Sequence, residues 1–201
     1  MSAHLALSPV AELATASLVP AERAADVAAR LGMADLSDLA RHGCKGPGAA
    51  QWLAALGLPV PDAPNTWLPL EDGGRIARLG LTEFLVEGSA SRLDAVMAAP
   101  RAAGVYPVLR QDAALVLTGD RLDELLRQTC SVNFRPLDPA DRPVVLTSMV
   151  GVAVTAIPER LAGRPALRLW CDGTYGHYLW ETLLEIAIEL GGGAIAPHGL
   201  D

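Results

Sequence analysis

Residues 43–53 read GCKGPGAAQWL, and residues 117–126 read LTGDRLDELL. Taken alone, the first stretch has the look of a glycine-rich phosphate loop. The second shows what the two have in common. Gly46 is followed after three, six and seven residues by Ala49, Trp52 and Leu53, and Gly119 is followed at the same intervals by Leu122, Leu125 and Leu126. That spacing puts each set on one face of a helix. A phosphate loop needs several glycines so that backbone N–H groups can approach the anion, and often a lysine followed by Ser or Thr. GCKGPG fits neither the G-x-G-x-x-G nor the G-x-x-x-x-G-K-[ST] pattern, and its counterpart places Asp120 where an anion would sit. The shared feature is a tight strand-to-helix turn, with Pro47 or Asp120 opening the helix.

Outward from these turns, the two halves keep the same order. After the first helix, at about 47–56, comes the proline-rich loop GLPVPDAPN. TWLPL, RIARLG and EFLVEG then read as short strands, ASRLDAVMAA (90–99) as a helix and VYPVLR as a further strand. In the second half AALVLTG is a strand and DRLDELLRQTC a helix. VVLTSMV, VAVTAIP and ALRLWCDG are three strands, and YGHYLWETLLEIAIEL is a long helix with Leu179, Leu183, Ile186 and Leu190 at the helical period. Each half is therefore an α/β unit of the α+β kind: strand, helix, three strands, helix, with helices on one side of an antiparallel sheet. The expected boundaries are an N-terminal extension over 1–32 with a short helix (PAERAADVAARLG), a first repeat over 33–107, a second over 108–193 and a tail over 194–201. The two repeats are expected to superpose about a pseudo-twofold axis.

Composition excludes several classes. The 201 residues are 51% hydrophobic, 19% charged and 4% aromatic, with a net charge of −7. Nucleic-acid binding needs basic clusters and stacking rings, and neither is present. So low a charged fraction, against roughly 25% in ordinary soluble domains, suits a chain that covers part of its surface with a partner. Cys44, Cys130 and Cys171 lie far apart without a C-x-x-C pair, which points to a reducing compartment and to thiols serving as small apolar groups. The N-terminus lacks a basic n-region, and the most apolar run, residues 144–157, is too short to span a bilayer, so the expected location is the cytoplasm, with no membrane contact.

No catalytic constellation emerges. His4, His42, His177 and His198 are scattered, with neither H-E-x-x-H nor paired cysteines for a metal, and no G-x-S-x-G elbow supports a nucleophile. Glu83, an acid among strand residues, reads as an exposed strand position. Trp170, Tyr175, Tyr178 and Trp180 lie within eleven residues, spanning a strand end and a helix start. Four such rings cannot all face one core, so this segment is the candidate partner interface.

Several motifs carry a family resemblance. TEFLVEG, LVLTGDRLDELLRQTCSVNF, PVVLTSMVGVAVTAIPE and LRLWCDGTYGHYLWETLLEIA together resemble the gamma subunit of heterotetrameric sarcosine oxidase, over roughly residues 75–188. DLSDLARHGCKGPGAAQWL is similar to the opening of the aminomethyltransferase, or glycine-cleavage T-protein, superfamily, whose fold that gamma subunit shares; residues 45–67 lie closer to the aminomethyltransferase pattern. The resemblance implies two tandem ferredoxin-like units in an aminomethyltransferase-like duplication. It also implies a non-catalytic chain, without a cofactor of its own, in a flavoenzyme that oxidatively demethylates sarcosine or a related N-methyl amine. FAD, FMN, NAD and tetrahydrofolate would then belong to larger partner subunits. Two alternatives remain open: a standalone folate-binding one-carbon protein, and a scaffold of the same fold.

Overall fold

The computed structural model describes residues 7–200. In chain order the elements are α1 (Ala11–Ala16), α2 (Ala21–Leu31), β1 (Gly32–Asp35), β2 (Ala40–Lys45), α3 (Ala49–Ala55), β3 (Thr66–Pro69), β4 (Arg75–Arg78), β5 (Glu83–Gly88), α4 (Ala90–Ala98) and β6 (Tyr106–Val108). There follow β7 (Asp112–Thr118), α5 (Leu122–Thr129), β8 (Val145–Met149), β9 (Val152–Leu161), β10 (Arg164–Asp172), α6 (Gly176–Glu189) and β11 (Gly193–Ala194). They form two compact units. The first holds Leu39–Gln111 with Arg142–Val144, and the second holds the described residues of Leu7–Asp38, Asp112–Asp141 and Val145–Asp201.

The first unit is a five-stranded sheet in the order β3-β4-β5-β2-β6, antiparallel throughout. α3 and α4 supply Ala49, Trp52, Leu53, Leu93 and Val96 to a core with Cys44, Ile76, Phe84 and Val86 of the strands. Residues 142–144 run along the outer edge of β3, where the Trp67 N–H donates to the Arg142 carbonyl (3.1 Å) and the Val144 N–H to that of Asn65 (2.8 Å). An edge strand that would otherwise present unpaired groups is thereby partly closed.

The second unit is a six-stranded sheet in the order β11-β1-β7-β10-β9-β8, with only the β1–β11 pair parallel. α5 and α6 cover one face: Leu125, Leu179, Trp180 and Leu183 pack on Leu115, Leu117, Leu167 and Leu169. On the other face, Val27 and Ala28 of α2 pack on Ala34 and Val116, together with Ile195. Because apolar groups lie on both sides of it, β7 is buried at every position from 113 to 118, which is why it reads as an unbroken apolar run rather than an alternating one.

Both units thus show strand, helix, three strands, helix, and in both sheets the first strand lies beside the fourth (β2 beside β5, β7 beside β10). They differ at the next position outward, which β6 fills in one sheet and β1 in the other. Residues 7–32 and 194–200, expected from the sequence as an extension and a tail, are built into the second unit. α2 turns Val27, Ala28 and Leu31 inward, and β11 pairs with β1. At four and two residues, β1 and β11 are too short for a periodic signal. The first six residues of the expected extension, with His4, and Asp201 of the expected tail lie outside the described residues.

Candidate functional site

The two glycine turns settle what their backbone groups do. Gly46 has φ of 115° and Gly119 of 126°, conformations open to glycine but strained for other residues. In the first turn the Gly46 N–H donates to the Thr82 carbonyl (3.0 Å), that of Gly48 to Gly104 (3.2 Å) and that of Ala49 to Gly46 (3.0 Å), while Pro47 has none to offer. In the second, Gly119 donates to Pro165 (3.1 Å), Asp120 to Ala29 (2.9 Å), Arg121 to Arg30 (2.9 Å) and Leu122 to Gly119 (3.1 Å). The amides that would cradle an anion are already engaged with protein carbonyls. The glycines serve close backbone approach: a Cβ on Gly119 would lie 2.6 Å from the Arg30 carbonyl, and one on Gly46 would run into the carbonyl oxygen of Gly104.

The aromatic segment divides into buried and exposed rings. Trp170 lies in β10 on the face opposite α5 and α6, alternating with Leu169 and Cys171, and is 2% exposed; Trp180 sits in the core beneath α6 at 1%. Tyr175 and Tyr178 are 55% and 52% exposed. Between β10 and α6, Asp172 accepts hydrogen bonds from the Thr174 N–H (2.9 Å) and hydroxyl (2.7 Å), which hold its carboxyl below the usual range. Gly176 then opens α6 where a side chain would meet Ala113 and Val10 at 3.1–3.2 Å. The Tyr178 hydroxyl donates to the Val150 carbonyl (3.1 Å), in the two-residue β8–β9 hairpin where Val150 and Gly151 both have positive φ. That bond ties the ring's outer end to the hairpin and leaves the ring half exposed, a form suited to contact with another molecule.

Burial governs several of the titratable groups elsewhere. Burial pushes the Cys44 and Cys171 thiols up to about 11, so neither is a thiolate near neutral pH. The third thiol, Cys130, is partly buried and lies 3.7 Å from the Thr147 hydroxyl. His42 is lowered from its ordinary value by burial first and then by Arg101 and Arg110, and its ring lies 6.2 Å from that of Trp52. Glu83 is partly exposed and pairs with Arg110 at 2.8 Å. His177 and His198 are exposed. Among the described residues no group of three His, Cys, Asp or Glu could hold a metal ion.

One cluster escapes sequence reasoning. Glu87 of β5 stands in register with Arg41 of β2 and Arg75 of β4, and both pair with its carboxylate, at 3.5 and 3.7 Å. All three side chains are at most 8% exposed, and the Arg75 guanidinium lies 5.3 Å over the Trp67 ring. A buried ion row of this kind discriminates against a slipped register, since a shift by one residue would leave a charge unpaired in the interior.

No protein-family model and no curated protein sequence matches the chain. Among solved structures it is similar to a chain of the heterotetrameric sarcosine oxidase from Corynebacterium sp. U-96, solved in complex with pyrrole 2-carboxylate. The TM-score is 0.74 at 22% identity, over 92% of this chain and 96% of that one. It is also similar to the glycine cleavage system aminomethyltransferase T from Bartonella henselae, with a TM-score of 0.65 at 13% identity, over 88% of this chain and 56% of that one. The class so defined is the aminomethyltransferase-like α+β fold, of which this chain spans little more than half the aminomethyltransferase's length. Within that class the fold is that of a sarcosine oxidase chain of nearly equal size, in agreement with the motifs at 35–53 and 82–187. Among the described residues no helix is long and apolar enough to cross a membrane.

Proposed function

We propose that this chain is a non-catalytic, gamma-type subunit of a sarcosine oxidase-like flavoenzyme. That enzyme oxidatively demethylates sarcosine or a related N-methyl amine and passes the one-carbon unit to tetrahydrofolate in the cytoplasm. The observation that carries the proposal is the end-to-end likeness to a sarcosine oxidase chain, 92% of one against 96% of the other. The likeness to the aminomethyltransferase, in contrast, takes in only 56% of that chain. FAD, FMN, NAD and tetrahydrofolate are assigned to larger partner subunits, and the chain contributes surface. Tyr175 and Tyr178 supply the exposed part of that surface, with Trp180 of the same helix as Tyr178 buried beneath it; Trp170 lies on the other face of the sheet and is not part of it.

The test is purification of the tagged chain from its native host, with mass spectrometry, an absorbance scan and an N-methyl amine oxidation assay. A yellow complex with larger chains, active where the isolated chain is not, is the expected result. A colourless monomer that binds tetrahydrofolate would instead favour a standalone one-carbon protein, the reading that the aminomethyltransferase likeness supports. A chain that purifies alone and binds neither folate nor a partner would leave the scaffold.

A further inference from the structure

We propose that the second unit carries a binding groove for a small amphipathic monocarboxylate, a site independent of the subunit role. The groove encloses about 600 Å³, within the size range of small-molecule sites. Its wall is α2, which turns Ala24, Ala25 and Ala28 toward it; alanine side chains are too short to fill the space, and Leu161 closes it from the β9–β10 hairpin. An apolar chain or ring fits such a lining. Two groups define the head. Arg164 and His198 both line the groove; among the described residues no Asp or Glu lines it and neither side chain has a hydrogen-bond or ion-pair partner. On a chain of net charge −7 this is a local reversal of sign.

Arg164 is also held in place by its backbone. It pairs with Leu161 across a two-residue turn, Ala162 and Gly163, both at positive φ, and the Arg160 guanidinium donates to the Gly163 carbonyl at 3.0 Å. A guanidinium fork set at the rim of an apolar groove matches a carboxylate, which can accept two parallel N–H bonds. A single fork with one imidazole does not provide for the several charges of a nucleotide, so the ligand carries one anionic head.

The test is calorimetric titration of the full chain with octanoate and with 1-octanol, in the native sequence and in Arg164→Gln, Arg164→Lys and Ala25→Leu. Octanoate is expected to bind at one saturable site. Arg164→Gln is expected to weaken it about tenfold or more, since a charge-assisted hydrogen bond is lost. Arg164→Lys, which keeps the charge and loses the fork, should fall between. Ala25→Leu, a change at an exposed position that fills the groove, should abolish binding with the fold intact by circular dichroism. Octanol should bind at least about tenfold more weakly than octanoate. The proposal is overturned if octanoate gives no saturable heat, if octanol binds as well, or if the variants bind octanoate unchanged. It is also overturned if Ala25→Leu prevents assembly with larger chains while octanoate never binds, because the groove is then a protein contact.

Discussion

Alanine at Gly46 or Gly119 should be far more damaging than alanine at the positive-φ glycines that face open space, and the size of the effect follows from the turn geometry. A left-handed backbone costs an L-residue roughly 1–2 kcal/mol. At Gly46 the new methyl would also run into the Gly104 carbonyl oxygen and lie 2.9 Å from the Tyr106 ring; at Gly119 it would lie 2.6 Å from the Arg30 carbonyl. These neighbours are mostly backbone and cannot rotate away, so relief requires the turn or its partner segment to shift, at about 1–3 kcal/mol by analogy with overpacked cores. The sum is about 2–5 kcal/mol for each substitution. A folded domain typically has roughly 5–15 kcal/mol of stability, so each change removes a large share of it. Gly57 and Gly163 are the controls: both have φ of 78–79° with no atom within 4 Å of the added methyl, and alanine there should cost only the backbone contribution of about 1–2 kcal/mol. Urea unfolding followed by circular dichroism and tryptophan fluorescence measures all four. If Gly46→Ala and Gly119→Ala prove as mild as the controls, the turns are not close backbone crossings, and the glycines need another explanation.

Four further outcomes are expected. Lys45→Ala should leave stability and any cofactor content of the complex nearly unchanged, because the neighbouring amides are already engaged; a marked loss of nucleotide or folate binding would refute this. Tyr178→Ala should weaken assembly with partner chains by about 1–2 kcal/mol in a binding titration while the monomer stays folded, with Tyr178→Phe separating loss of the ring from loss of its bond to Val150. Ala162→Asn creates the Asn-Gly pair favoured in two-residue hairpins at a position with φ of 47°, and should raise stability by about 0.5–1 kcal/mol in the same urea assay. Finally, His42 takes up a proton less readily when folded. As pH falls through the unfolded value near 6.5, the unfolded chain gains a proton that the folded chain does not, so stability should drop; His42→Gln should flatten that part of the pH profile.

The features legible along the chain are those that short-range physics controls. A glycine turn, the apolar face three, six and seven residues beyond it, and the strand runs that follow are all encoded within windows of about ten residues, so Gly46 with α3 and Gly119 with α5 were legible as a repeat. The order of those windows was enough to indicate the fold. The pairing of distant segments emerged from the three-dimensional fold. That fold drew α2, β1 and β11 into the second unit, where Val27 and Ala28 cover Ala34 and Val116, and it laid residues 142–144 along β3. It brought Arg41 and Arg75 to Glu87 through strand register, a relation between residues that no local period records. In the segment 170–180 it sorted four similar rings, burying Trp170 and Trp180 and exposing Tyr175 and Tyr178. The reason is that burial of a ring depends on which surfaces meet it from elsewhere in the chain. Periodicity fixes the direction in which a side chain points but not what lies there.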